Sequence, residues 1–343
     1  MISFEYIEKP FRGRSKVDRR QIFALGIAAS ALCLIIGFAI YWQHGLPARY
    51  NDGTRRLVAE NAERKDDFLE TCGNWRKEIR NMSDINFCRM EPASTRPSAK
   101  VIMFWGDSHV QQLYPLIRKL HGDGELQGRG ALLAISNGCP PTEHLNRIQK
   151  GFHCDSFAKF ALMRAEQEDV DTVFIGFNTW FAAHEDICPS VDGRCTGMLS
   201  LEETRQLFLN ELLQHIKSLK SCGKRVIVSL PFPMFDKSIP DLEIRNAVFS
   251  RFGLGGVAKD ITLPSFRNQL ASVARNAGAE IFDPRESLCH NRECITQVDG
   301  VSIYKDDNHI AASQIGILED NFKSVVLSAN VPRDSSSLNA HRL

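Results

Sequence analysis

Short apolar runs alternate with amphipathic stretches through most of the chain after residue 99. Each run is almost continuously apolar, which is typical of strands that are buried on both faces of a sheet. The pattern therefore predicts five strands, at residues 101–105, 131–136, 172–177, 225–230 and 279–283.

Between these runs, apolar residues recur at the spacing of a helix. The clearest helix is predicted at 201–220, with Ser200 as a candidate N-cap and Gly223 after its end. Further helices are predicted at 266–277 and from about residue 309. The alternation of strands and helices indicates an α/β fold in which a parallel sheet is covered on both faces.

The segment 21–42 carries no charged residue and is long enough to cross about 30 Å of hydrocarbon as a helix. A cleaved signal peptide is the alternative, but the run exceeds the usual apolar region of one. Basic residues are more frequent before the run than after it, so we expect a cytoplasmic N-terminus. The predicted parts are a basic tail at 1–20 and a transmembrane anchor at 21–43.

Residues 44–98 are predicted to form a helical stalk or linker. Apolar residues recur at roughly helical spacing within 52–82, which favours an amphipathic helix packed on the main domain, and a solvated stalk fits nearly as well. The main domain is predicted at 99–327, followed by a loose tail at 328–343.

Positive and negative side chains almost balance, with 42 Lys and Arg against 41 Asp and Glu, for a formal net charge of +1. Nucleic acid is therefore not an expected partner, because proteins that bind it concentrate basic residues. The apolar fraction of 43% is ordinary for a globular protein and argues against a disordered or polytopic membrane chain.

The spacing of the cysteines indicates the redox state of the compartment in which the main domain lies. Cys33 lies in the apolar segment and Cys222 stands alone, while the rest fall into close pairs: Cys72 and Cys88, Cys139 and Cys154, Cys188 and Cys195, Cys289 and Cys294. Such pairs favour local disulfides in an oxidising space, although sequence alone does not fix the pairing. Zinc bound by Cys289, His290 and Cys294 is one alternative, and free thiols are the other. Disulfides and anchor together favour an extracytoplasmic domain.

A candidate nucleophile follows the first predicted strand. The sequence Gly106-Asp107-Ser108-His109 leads directly into a helix-like stretch. Ser108 is therefore expected at the carboxyl edge of the sheet, near helix N–H groups that can stabilise an oxyanion. Asp107 can hydrogen-bond the loop. The alternative is that Ser108 is an ordinary N-cap.

A candidate base lies near the end of the main domain. Asp306 and His309 are three positions apart, so the carboxylate can accept from His Nδ1 and leave Nε2 facing outward as a general base. A capping sequence with a surface histidine is the alternative. A calcium loop is disfavoured, because the acidic residues lack the spacing of an EF-hand.

Two loop residues complete the candidate site. Asn178 follows the third predicted strand, where its amide could donate to the spot that the Ser108 loop borders. Gly138 follows the second strand and could add a backbone N–H. Each is a common loop residue when taken alone.

In this order, G-D-S, a glycine, G-x-N and D-x-x-H resemble the conserved blocks of the SGNH (GDSL-type) hydrolase superfamily. The local sequences GDSH, NGCPP, LCHNREC and YKDDNH look like those of SGNH domains that accompany acyltransferase family 3 proteins. The resemblance covers about residues 99–327. It implies a flavodoxin-like three-layer α/β/α fold with a parallel five-stranded sheet, and a role in O-acylation of cell-surface glycans.

Carried over to this chain, the resemblance implies a nucleophile, Ser108, a base, His309, and its orienting acid, Asp306. The implied oxyanion hole consists of the Ser108 N–H, the Gly138 N–H and the Asn178 side chain, and no metal or cofactor is implied. Two departures matter. Thr179 stands where the family commonly has Asp, and Gly128 or Gly130 are alternatives to Gly138.

The expected function is a membrane-anchored serine O-acyltransferase that modifies a cell-envelope polysaccharide through an acyl-serine. It would lie in the inner membrane with one span and a periplasmic domain. Because acyl-CoA is cytoplasmic, we expect a polytopic membrane acyltransferase or another acyl donor carrier as partner, and a glycan as acceptor. The alternatives are a carbohydrate O-acetyl esterase with the same triad, and a non-catalytic glycan-binding accessory module.

Overall fold

The computed structural model describes residues 19–42, 72, 87–91, 99–249, 255–290 and 293–328. Contacts divide the chain into two units, Met1–Arg56 and Leu57–Leu343. The predicted basic tail up to residue 18, the helix predicted within 52–82 apart from Cys72, and the tail after residue 328 lie outside the described residues.

The first unit contains helix α1 (Arg19–Trp42), which has 24 residues. Within it, the segment Phe23–Trp42 is long and apolar enough to cross a membrane. The prediction of one apolar helix near the N-terminus is therefore confirmed.

The second unit is built on a six-stranded sheet. Five strands are parallel neighbours, in the order β3-β2-β4-β5-β6, and β1 pairs with β3 in the antiparallel direction. The strands are β1 (Cys88–Met90), β2 (Val101–Gly106), β3 (Gly130–Ile135), β4 (Val170–Gly176), β5 (Arg225–Ser229) and β6 (Glu280–Phe282).

The parallel five-stranded sheet predicted from the apolar runs is thus present, and the α/β fold class is confirmed. The prediction lacked β1, which lies in the segment 44–98 that was predicted to be a stalk or linker. With only three residues, β1 is too short to show a periodic pattern.

Side chains of the central strands alternate between two cores. Val101, Met103 and Trp105 of β2 pack into one hydrophobic cluster, and Ile102 and Phe104 pack into the other. All six residues of β2 are buried. This burial on both faces explains why the strand reads as one continuous apolar run.

Helices cover both faces of the sheet and complete three layers. They are α2 (Ser108–Gln111), α3 (Tyr114–Gly122), α4 (Cys154–Ala165), α5 (Leu201–Ser221), α6 (Ile239–Phe249), α7 (Pro264–Asn276), α8 (Arg285–Leu288) and α9 (Glu319–Val326). As predicted, Ser200 caps α5, where its side chain accepts from the Glu203 N–H in a capping box.

The last helix begins later than the expected start near residue 309. A 3₁₀ segment, Ala312–Leu318, comes first, and α9 begins at Glu319. The residues before it are held in another conformation, because Tyr304 pairs with Ile310 in an antiparallel bridge and the Lys305 N–H donates to the His309 carbonyl.

Disulfides join all four cysteine pairs that are close in sequence. The zinc and free-thiol alternatives for these eight residues are therefore wrong. Cys33 and Cys222 are free. Among the described residues, no group of three or more His, Cys, Asp and Glu side chains is arranged to hold a metal ion.

Candidate active site

Ser108 lies where β2 passes into α2, at the carboxyl edge of the sheet. Glycine is required just before it: a Cβ on Gly106 would lie 1.8 Å from the Gly176 carbonyl oxygen at the end of β4. Asp107 is the N-cap of α2, and its side chain accepts from the His109 N–H. The sequence thus forms the strand-to-helix turn that exposes Ser108.

Three predicted residues meet in one hydrogen-bonded series. Ser108 Oγ lies 2.8 Å from His309 Nε2, and His309 Nδ1 lies 2.8 Å from Asp306 Oδ2. The other carboxylate oxygen of Asp306 accepts from the backbone N–H groups of Asn308 and His309, at 2.9 and 2.7 Å. These bonds fix the carboxylate against the imidazole.

The groups around Asp306 stabilise its ionised form. Burial alone would raise its pKa, but hydrogen bonds and charge from His309, with the backbone N–H groups, outweigh burial and hold the pKa well below its usual value. Asp306 is therefore ionised and can stabilise a positive charge on His309. Ser108 is half-buried and the His309 side chain is 17% exposed, so both are partly accessible to solvent.

Asp107 links the ends of two strands. Its carboxylate accepts from the His109 N–H and from the Asn178 N–H, each at 2.8 Å. Burial raises the pKa of Asp107 to about 6, against the lowering effect of these hydrogen bonds. As expected from the sequence, this aspartate hydrogen-bonds the loop. It thereby joins the Ser108 turn to the Asn178 loop.

Asn178 lies at the carboxyl end of β4, beside this turn. Its Oδ1 accepts from the Trp180 N–H at 2.8 Å, and its Nδ2 lies 2.9 Å from His109 Nε2 and 3.3 Å from Asn308 Oδ1. The sequence assigned no role to His109 or Asn308. The signals that could have pointed to them are their positions next to Ser108 and His309.

Gly138 lies in the turn that follows β3, at the same edge of the sheet as Ser108. The two alternatives, Gly128 and Gly130, precede or begin β3, and Gly130 pairs with Val101 at the start of β2. They lie at the opposite end of the strand. Of the three glycines, only Gly138 therefore lies where an oxyanion hole could use it.

An arginine that the sequence did not single out packs against this turn. Gly138 has a φ of +73°, and a Cβ there would lie 2.8 Å from Arg147 Nη1. The guanidinium lies over the rings of Phe152 and Trp180, at 4.7 and 4.5 Å from their centroids. Arg147 therefore supports the Gly138 turn from one side.

This arrangement is suited to nucleophilic catalysis by serine. A histidine within hydrogen-bond reach can remove the serine proton, and an ionised aspartate orients that histidine and stabilises its cationic form. Gly138 and Asn178 are in the same region as the serine, where N–H donors would face a developing negative charge.

Comparison with known proteins agrees with this fold. The family described as "SGNH domain (fused to AT3 domains)" matches residues 71–324. The periplasmic domain of the lipopolysaccharide acetyltransferase from Salmonella ser. Paratyphi A superposes with a TM-score of 0.56 at 13% identity, covering 83% of this chain and 100% of that one. No protein of curated function matches the chain.

Two other solved structures are more distant. A GDSL-like lipase from Bacteroides thetaiotaomicron has a TM-score of 0.38 at 11% identity, covering 80% of this chain and 97% of its own. An acetyl xylan esterase has a TM-score of 0.38 at 14% identity, with 65% and 98% covered. Because the family match spans well over half of the sequence, the chain belongs to the family of SGNH domains described as fused to AT3 domains.

Proposed function

We propose that the chain is a membrane-anchored serine O-acyltransferase whose extracytoplasmic domain transfers an acyl group, acetyl in the simplest case, to a cell-envelope polysaccharide. The hydrogen-bonded series of Ser108, His309 and Asp306, with 2.8 Å at each contact, carries this proposal. Such a series activates a serine that is otherwise a weak nucleophile. Membership of a family of domains fused to AT3 domains supports acyl transfer.

In the first half of the reaction, His309 Nε2 takes the proton of Ser108 as Oγ attacks the acyl carbonyl. Negative charge develops on the carbonyl oxygen, where the Ser108 N–H, the Gly138 N–H and the Asn178 amide would donate to it. The leaving group departs with the proton from His309. An acyl-serine remains.

In the second half, an acceptor hydroxyl attacks the acyl-serine. His309 takes the hydroxyl proton and returns it to Ser108 Oγ as the bond to serine breaks, so a new ester forms and the enzyme is regenerated. Water in place of the sugar hydroxyl would make the same site an O-acetyl esterase. The partial exposure of the site, with the Asp306 side chain 34% exposed, favours this second candidate.

The proposed location is the inner membrane, with a cytoplasmic N-terminus and a periplasmic domain. Helix α1 is suited to a single span, and the disulfides are suited to an oxidising compartment. Because acyl-CoA is cytoplasmic, a polytopic membrane acyltransferase or another carrier must supply the acyl group. The relation to AT3 domains supports the membrane acyltransferase as this partner.

The test is acyl release from an aryl acetate by the full chain in detergent, with and without envelope polysaccharide, beside Ser108→Ala. We expect turnover that Ser108→Ala abolishes and that polysaccharide diverts from acetate to acetylated glycan. The control is Ser324→Ala, on the exposed side of α9, which should turn over like the wild type.

Each result bears on the proposal. Serine-dependent release of acetate that polysaccharide does not divert would establish the esterase instead. Turnover that survives Ser108→Ala would overturn both enzymes, and binding of polysaccharide without any serine-dependent turnover would favour a non-catalytic module.

A further inference from the structure

His109 is a buried histidine that the proposed chemistry does not use. It is 2% exposed, and its ring packs against those of Phe232 and His309, with centroids 5.4 and 5.0 Å away. Burial, with the charge of His309, lowers the pKa of His109 to about 3. The imidazole is therefore neutral, with one N–H and one nitrogen lone pair.

One ring nitrogen of His109 faces two side-chain amides at once. Nε2 lies 2.9 Å from Asn178 Nδ2, which is a donor, and 3.0 Å from Asn308 Oδ1, which is an acceptor. The other nitrogen, Nδ1, is buried and has no hydrogen-bond partner among the described residues. His109 thus connects the loop of a predicted oxyanion residue to the loop of the predicted base.

The orientations of both amides are assigned by their other hydrogen bonds. Asn178 Oδ1 accepts from the Trp180 N–H at 2.8 Å, so its Nδ2 must face His109. Asn308 Nδ2 donates to Asp307 Oδ1 at 2.7 Å, so its Oδ1 must face His109. Exchanging the oxygen and nitrogen of either amide would place a donor against a donor or an acceptor against an acceptor.

A neutral His109 cannot satisfy both amides. With a lone pair on Nε2, it accepts from Asn178 but faces the oxygen of Asn308, and a buried Nδ1–H is left unpaired. With a proton on Nε2, it donates to Asn308. One hydrogen of Asn178 Nδ2 then keeps its longer contact with Asn308 Oδ1, at 3.3 Å, and the other hydrogen is left without an acceptor. Only the second state can be relieved by a substrate, because a developing oxyanion accepts the freed Asn178 N–H.

We infer that His109 is a positioning residue for acyl transfer, which donates from Nε2 to Asn308 and thereby leaves the Asn178 amide hydrogen to the oxyanion of the substrate. This inference rests on the proposed function. His109 acts through Asn178 and does not touch the reacting atoms. The same bond to Asn308 holds the turn that carries His309.

The test compares His109→Leu and His109→Gln in the full chain, with an aryl acetate as substrate. We expect His109→Leu to lower kcat by about 10- to 100-fold with KM changed less than about threefold, because an oxyanion donor acts on the transition state. His109→Gln can present an N–H to Asn308 and should retain kcat within about fivefold of the wild type. The rate of labelling by a serine-directed fluorophosphonate is a second readout, since its phosphoryl oxygen needs the same donors.

A double-mutant cycle separates this role from a structural one. Asn178→Ala should lower kcat by about 100-fold. Adding His109→Leu to Asn178→Ala should lower kcat by less than about threefold more, because both substitutions remove the contribution of the same Asn178 amide. His215→Leu is the matched control, since His215 is also buried but contacts Trp105 and Glu143 on α5's side of the sheet. It should lower thermal stability and leave kcat within about twofold of the wild type.

The inference is overturned if His109→Leu keeps the wild-type kcat and labelling rate, if its effect adds in full to that of Asn178→Ala, or if His215→Leu loses as much activity. Ser108→Ala distinguishes these failures from failure of the proposed function. Turnover that persists in Ser108→Ala, or a wild type that neither turns over nor is labelled, overturns both. A serine-dependent enzyme that is indifferent to His109 overturns this inference alone.

Discussion

Asp306 controls the proton on His309 through one short contact. Its Oδ2 lies 2.8 Å from Nδ1, so the histidine carries its proton on Nδ1 and turns the lone pair of Nε2 towards Ser108. Hydrogen bonds and charge from His309 hold the pKa of Asp306 well below its usual value despite burial. The carboxylate therefore stays ionised at any pH at which the enzyme is expected to work.

Replacing Asp306 by Asn tests this control directly. The amide would donate to Nδ1 and place the histidine proton on Nε2, where it faces Ser108, so we expect Asp306→Asn to lower kcat by about 10³- to 10⁴-fold. The measurement is turnover of an aryl acetate, with thermal unfolding to show that the variant folds. Asp320→Asn on α9 is the control. A loss of less than about tenfold would mean that Asp306 does not orient the base.

At this scale, the sequence pointed to residues in ordered motifs, and the structure brings these residues together, but the sequence did not point to residues whose contacts are with distant parts of the chain. Ser108, Asp306 and His309 follow from a strand-to-helix turn and from a carboxylate three positions before a histidine. The contacts of His109 are with amides 69 and 199 positions away. No local pattern carries that information.

Among the elements, predictability follows burial and length. Strand β2 was predicted to within one residue, because all of its side chains are buried and the run is continuous. Strand β1 has three residues, one of them exposed, and gives no such signal. The start of α9 was missed because backbone bonds of Tyr304 and Lys305 hold the preceding segment in a turn.

Helix α6 connects the turn that carries Asp306 to a buried carboxylate. The Ile239 N–H at its start donates to the Asp306 carbonyl at 3.1 Å. Further along the helix, Glu243 is 9% exposed, and its two carboxylate oxygens are buried without a well-formed hydrogen bond to any of the described residues. Burial raises the pKa of Glu243 to about 7, although Ser302 and Gln297 lie near enough to oppose it.

The burial of Glu243 makes the free energy of unfolding depend on pH. Because the pKa in the folded chain is raised from 4.5 to about 7, the contribution of Glu243 is fully present below about pH 4.5 and is lost as pH rises through 7. We therefore expect Glu243→Gln to raise Tm by about 2–6 °C at pH 8, with a gain that shrinks towards pH 5. Thermal unfolding at both pH values measures it, beside Glu286→Gln, whose side chain is exposed. An equal gain at both pH values would contradict this explanation.

At the scale of the whole molecule, the disulfides each join residues that are close in sequence, and the core itself is built by apolar packing. Cys188 with Cys195 and Cys289 with Cys294 each close a short hairpin. The bond between Cys139 and Cys154 is different, because it joins the turn after β3 to the start of α4. Cys139 directly follows Gly138, so this bond also restrains the predicted oxyanion turn.

These placements predict unequal effects when the bonds are removed. Cys139 and Cys154 are 15 positions apart, and Cys289 and Cys294 are 5 apart. Loop entropy therefore predicts that removing the first of these bonds lowers the free energy of unfolding by about 3 kcal/mol, and that removing the second lowers it by about 2 kcal/mol. We expect Cys139→Ala/Cys154→Ala to lower both Tm and kcat, and Cys289→Ala/Cys294→Ala to lower Tm less and keep kcat. Thermal unfolding and aryl acetate turnover of the full chain measure both.

Cys222→Ala, at an exposed free thiol, is the control and should match the wild type in both measurements. A greater loss of stability in the hairpin variant would contradict the loop-entropy argument. Unchanged kcat in Cys139→Ala/Cys154→Ala would mean that the Gly138 turn keeps its shape through Arg147 and its own backbone, because the cation over Phe152 and Trp180 would then be the stronger restraint. Because Arg147 is unchanged in Cys139→Ala/Cys154→Ala, this variant tests the covalent constraint on the turn while the packing constraint is kept.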